Sequence, residues 1–308
     1  MTSFDPAGPQ FPPLPPIDSA ADVLVGHLWV TELIDGTGIR FRMDESGLLR
    51  FGDADGAFPA GDDEVPPHLR PAVRHVRARF DRGALRDAVD DPAGVAFLGV
   101  ATHRRRTDYD WGRIPPFLGT DVWVDFAGRF RPPDAAASIF DGVGLAPVTA
   151  IDREVRARDF DPDDYAAPAS AWHDGPATGV VVRNKRGDRG RLVRSDPDGR
   201  SSESAGDAPG TEALAATYAA SDRLERYRDR IERRGEPATV DALADRAVEA
   251  AARESPVRVR DATTGTVGEP ASRTVTEPAS RAVVDADRVR EAALARVRMF
   301  LDAESSSG

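Results

Sequence analysis

The chain changes texture once, and that change limits the folds open to it. From Leu28 to about Val193 it reads as short runs such as "GVAFLGVAT", "FLGTDVWVDF" and "TGVVVRN", separated by Gly, Pro and Asp. Such runs, rich in β-branched and aromatic residues and bounded by turn formers, predict strands. Helical spacing interrupts them. In "PPHLRPAVRHVRARF", Leu69, Val73, Val76 and Phe80 fall on one helical face, and "PPDAAASIFDGVG" predicts a short helix closed by a glycine. Strands and helices mixed over one long stretch predict an α+β domain on antiparallel sheet.

After a polar segment, "SDPDGRSSESAGDAPG" at 195–210, the text becomes helical. "TEALAATYAASDRLERYRDRIERRG" and "TVDALADRAVEAAARES" are each expected to be one helix opened by a threonine cap. "DADRVREAALARVRMFLDA" predicts a third, with Val289, Leu294, Val297 and Leu301 near one face. The expected division is a Pro-rich irregular arm at 1–20, a mixed domain at 21–194, a linker at 195–210 and a small all-α domain at 211–303. Within the last, a direct repeat, "GEPASRTV" then "TEPASRAV", marks a disordered insertion at about 262–283.

Composition narrows the chemistry. The chain has no cysteine, which excludes disulfides, thiolate metal sites and cysteine nucleophiles. The histidines, His27, His68, His75, His103 and His173, form no metal-ligand spacing, so no metal site is expected. The net charge is −11, and the acids are 37 Asp against 15 Glu. Lys185 is the only lysine beside 40 arginines. Dense Asp with almost no Lys is expected of a protein solvated in high salt, a halophilic composition. The first twenty residues lack a basic region followed by an apolar one, and no run approaches a membrane span. The expectation is a cytoplasmic protein with no membrane partner.

Four segments in order carry a resemblance. They are "HLWVTELIDGTGIRF", "FLGVATHRRRTDYDWGRIPPFLGTDVWVDF", "GPATGVVVRNKRGDRGRLVR" and the helical tail. Together they resemble the ATP-dependent RNA ligases of the covalent nucleotidyltransferase superfamily, especially the archaeal type with a helical C-terminal domain. The resemblance covers about residues 14–260 and 284–303. It implies a nucleotidyltransferase domain, ATP-grasp-like with antiparallel sheets and helices, followed by the helical domain. It also implies an archaeal-type dimer. ATP and Mg²⁺ are implied by the resemblance alone, and use of neither is the open alternative.

The motifs depart from the family where its chemistry lies. The family's E-K-x-D-G stands here as Glu32-Leu33-Ile34-Asp35-Gly36, with Leu33 at the nucleophile position. A lysine amine attacks the α-phosphate of ATP in its neutral form. Leu33 has no lone pair. The position matching a nucleotide-contacting arginine is Ala54. Val100 stands for a ribose-binding glutamate and Thr178 for a metal-placing one. Each lost charge-assisted contact costs about 2–4 kcal/mol. Arg191 stands where a lysine grips the α-phosphate.

Glu32, Asp35, Gly36, Arg40, Trp123 and Arg191 are therefore read as relics of a nucleotide site. Simpler readings stay open: a plain Asp-Gly turn, an ordinary strand arginine at Arg40, and core packing for Trp123. Arg104, Arg105, Arg183, Lys185, Arg186 and Arg189 form basic runs that suit a phosphate backbone, or a solvated hairpin. The implied function is an RNA ligase-family protein without catalysis. It would keep nucleotide or RNA binding, or regulate an active paralogous ligase. The alternatives are a working RNA ligase, and an oligomerisation subunit in a homo- or heterodimer.

Overall fold

A computed structural model describes residues 7–59, 64–193, 208–261 and 282–305. The expected linker falls largely outside these, and the repeat insertion almost entirely. The described residues divide into two compact units: 7–59, 64 and 72–193, and 65–71, 208–261 and 282–305.

The first unit is built on two antiparallel sheets. One has the order β7-β1-β8-β9, from β1 (His27–Glu32), β7 (Ala150–Arg156), β8 (Gly179–Asn184) and β9 (Arg189–Val193). The other has the order β3-β2-β4-β5-β6, from β2 (Gly36–Met43), β3 (Leu49–Gly52), β4 (Val95–Thr102), β5 (Phe117–Val124) and β6 (Arg129–Phe130).

Alternation gives the second sheet two faces. Ile39, Phe41, Phe51, Phe97 and Phe117 lie on the outer face. There Phe41 stacks on Phe97, ring centroids 5.0 Å apart, and meets Phe80 edge-on at 5.3 Å. Phe80 follows helix α1 (Arg70–Arg79), and Leu69, Val73, Val76 and Phe80 are all buried. Helix α2 is Arg82–Ala88. Phe140 of α3 (Pro133–Gly142) joins the aromatic cluster, and the chain leaves α3 through Gly144 at φ +78°. Gly38, Arg40 and Arg42 lie on the opposite, inner face, in register with Val100, Leu98 and Ala96.

The two sheets are tied by a buried ion cluster. Asp121 of β5 accepts from both guanidinium ends of Arg183, at 3.1 Å each, and from Arg189 at 2.8 Å. Burial raises the Asp121 carboxyl, but the two guanidiniums outweigh it and hold the group below the usual carboxylate range. The other face of the first sheet packs Leu28, Val30, Val180 and Val182 against Ile17, Val23 and Phe160.

The second unit is helical apart from a short parallel pair, β10 (Arg258–Arg260) with β11 (Val283–Asp285). The pair brackets the repeat. The first expected helix is two: α4 (Thr211–Tyr218) and α5 (Ser221–Glu232). The buried set Leu214, Ala215, Tyr218, Ala219 gives way to Leu224, Tyr227, Ile231, and the gap breaks the three-to-four rhythm. One straight helix could not bury both sets. Gly210, not Thr211, precedes α4, and no side chain caps it. Helix α6 (Val240–Glu254) does have its threonine cap, Thr239 accepting from Ala242 N. In α7 (Ala286–Ser305), Val289 and Val297 are buried, while Leu294 and Leu301 pack at the margin.

The expected irregular arm lacks long regular structure from Ala7 to Pro16, but it is packed. Ala7 and Ile17 are buried. No helix among the described residues is long and apolar enough to cross a membrane.

Candidate functional site

Strand β1 delivers Glu32, and the chain turns through Leu33, Ile34 and Asp35 into β2. Both acids are buried and already partnered. The Glu32 carboxylate accepts from Ser170 Oγ at 2.6 Å and from Ala171 N at 3.1 Å. Asp35 Oδ2 accepts from Arg106 N at 2.6 Å and Thr107 N at 3.0 Å. Its own amide donates to the Tyr109 hydroxyl at 2.7 Å, and Arg105 donates to Gly36 O at 3.0 Å. Burial pushes the Tyr109 phenol well above its ordinary value, so it stays protonated. Burial also lowers Arg105, against the pull of Asp35.

Gly36 is fixed by space. A Cβ there would lie 2.4 Å from Ala101 O and 2.6 Å from Val100 Cγ1. The Asp-Gly pair is thus held by the loop 105–109 and by the neighbouring strand. Leu33 is half-buried; its amide donates to Gly179 O at 2.9 Å, and its side chain lies against Gly179.

Two further residues around this turn, Val100 and Thr178, are apolar or neutral. Val100 packs with Ile34, Tyr109, Ile114 and Leu118. Thr178 pairs with Thr107 through their hydroxyls at 2.9 Å. A cavity of about 340 Å³ opens beside Tyr109, lined by Asp108, Asp110, Arg113, His173 and Asp174. None of Leu33, Val100 or Thr178 lines it. Among the described residues, no group of three or more His, Asp or Glu could hold a metal. The donor set does not fit Mg²⁺ or a covalently held nucleotide: each acid already accepts two protein donors, and the remaining positions offer aliphatic carbon and two paired hydroxyls.

The other expected residues scatter. Arg40 is fully buried; it donates to Asp53 O at 3.0 Å, to Pro9 O at 3.4 Å and to Gly8 O. Ala54 sits in the turn just after Asp53. Arg191 donates to Leu14 O at 2.6 Å. Trp123 shares the inner face with Asp121, but it pairs with Ala96, far along the sheet from the Asp35 turn. There it donates to Asp125 at 2.7 Å and meets Phe130 edge-on.

The basic runs do not form one open face. Arg183 and Arg189 turn inward onto Asp121, and Arg105 donates to Gly36 O. Arg104 pairs with Asp108 at 3.0 Å. Lys185 pairs with Glu154 at 2.8 Å, which raises its ammonium, and Arg186 is exposed beside it in the β8–β9 turn. Lys185 lies six residue steps, ~20 Å of strand rise, beyond Gly179. Sequence reasoning missed Ser170, Thr107 and Tyr109 as partners of the acids. Their contacts close across distant segments, which no local spacing records.

No family model and no curated protein matches the sequence. Among solved structures, a Naegleria gruberi RNA ligase with PPi superposes with TM-score 0.48 at 11% identity, over 62% of this chain and 57% of that one. An archaeal ATP-dependent RNA ligase superposes with TM-score 0.44 at 15% identity, over 97% of this chain and 67% of that one. This chain therefore spans just over half the length of the Naegleria protein. Partial superpositions of this kind carry no residue roles. Both of these solved proteins are RNA ligases.

Proposed function

We propose that the chain is a catalytically inactive relative of ATP-dependent RNA ligases. It keeps their scaffold and serves in nucleotide or RNA binding, or in regulating an active partner. One observation carries the reading. The acids on either side of Leu33-Ile34 hold neighbouring loops in place, and no nucleophile stands between them. Covalent nucleotidyl transfer needs an amine or comparable lone pair at the α-phosphate. Leu33 supplies none, and Lys185 is distant, protonated and paired.

The reading is tested by sealing of nicked and single-stranded RNA with ATP and Mg²⁺ in molar KCl. The native chain is expected to seal neither. Leu33→Lys alone is also expected to fail, because Val100 and Thr178 still lack carboxylates. Sealing by the native chain would overturn the reading. Sealing by the single variant would show that the loss lies at one residue.

A further inference from the structure

The packed arm covers the two arginines that still suit a phosphate. Gly8 and Pro9 present their carbonyls to Arg40, and Leu14 presents its carbonyl to Arg191. Between them the Phe11 ring lies over Gly38, where a Cβ would be 3.0 Å from the ring. The arm then meets the open edge of the first sheet. Arg191 N donates to Pro15 O at 2.8 Å, Pro16 bridges to Arg191, and Ile17 passes over Gly190, where a Cβ would lie 3.1 Å from Ile17 Cα. Both floor positions are glycines. Carbonyl oxygens on a guanidinium occupy the donors that a phosphate would use.

We propose that residues 7–16 are an internal strap, a self-ligand that occupies the inner face and must leave before Arg40 and Arg191 can take a phosphate-bearing ligand. The strap has the length of a short strand of nucleic acid. At the rise of an extended Pro-rich chain, the carbonyls of Gly8 and Leu14 stand on the order of 20 Å apart. A single triphosphate is shorter than that, so the footprint favours an oligonucleotide. The inference rests on the proposed function, in that it concerns binding without covalent chemistry.

The test uses the full chain, native and Phe11→Ala, with a hexaribonucleotide and with inorganic tripolyphosphate as separate probes. Deuterium uptake of residues 189–193 reads the strap, since the Arg191 amide is bonded to it. Bound hexanucleotide is expected to raise that uptake in the native chain. Phe11→Ala is expected to bind it at least tenfold tighter. A synthetic peptide, AGPQFPPLPP, should displace it from the variant. If tripolyphosphate alone shows these effects, the ligand is a compact phosphate and the strap stands. Binding without a rise in uptake, or no binding of either probe to either protein, would overturn the strap. If Phe11→Ala does not fold, uptake in the native chain decides alone. A covalent AMP adduct would break the proposed function instead and leave these readouts unchanged.

Discussion

Asp121 shows how a residue's neighbours decide its role. In sequence it stands on a strand, two residues before a tryptophan. In the structure it is nearly inaccessible between two guanidiniums. Removing one partner of a buried ionic group leaves the others uncompensated. Asp121→Ala is expected to cost about 3–5 kcal/mol by denaturant unfolding. The pH dependence has a definite sign. The folded-state value of Asp121 lies below its unfolded one, so its contribution is fully present above about pH 4 and is lost as pH falls through the depressed value. Acid unfolding of the native chain should therefore be steeper than that of Asp121→Asn. Glu32 makes a parallel case. Glu32→Ala leaves Ser170 Oγ and Ala171 N without their acceptor and should destabilise by about 1–3 kcal/mol. A residue kept only for a lost reaction would tolerate the change.

At the scale of elements, strands β4, β5 and β8 and helices α1, α3, α6 and α7 were legible because each writes its own period. β4, β5 and β8 follow their apolar runs, and α1 follows Leu69, Val73 and Val76. The split of α4 from α5 was less legible, because Ala-rich text supports helix everywhere and only packing chooses the break. The arm was read as irregular because proline patterns give no period. Its contacts with Gly38 and Gly190 depend on strands far along the chain. The same holds for the site. Leu33, Val100 and Thr178 were legible as departures from the resembled motifs, whereas the hydrogen bonds that bind Glu32 and Asp35 required the fold. Gly36→Ala tests whether that turn is structural. Its new methyl would meet backbone, which cannot yield as a side chain does, and a loss of about 1–3 kcal/mol in stability is expected.

For the whole molecule, the net charge of −11 sets the solution behaviour. Crowded carboxylates repel one another, and salt screens that repulsion over distances of about 10 Å at 0.1 M and less at higher concentration. The unfolding temperature should rise as KCl goes from low to molar concentration. A flat or falling curve would remove the high-salt reading of the composition. The acidic surface also bears on partners, since a phosphate backbone must find local basic groups within a repelling field. Among the candidate arginines, several are committed to internal contacts, which is why release of the strap matters.

On the proposed reading, the site cannot form a lysyl-nucleotide bond. The most direct measurement is transfer of label from α-labelled ATP to the full native chain, with Mg²⁺ in molar KCl, read after denaturation. No acid-stable or alkali-stable label is expected on the protein at any time point. A covalent AMP adduct, mapped to any residue of the chain, would contradict it.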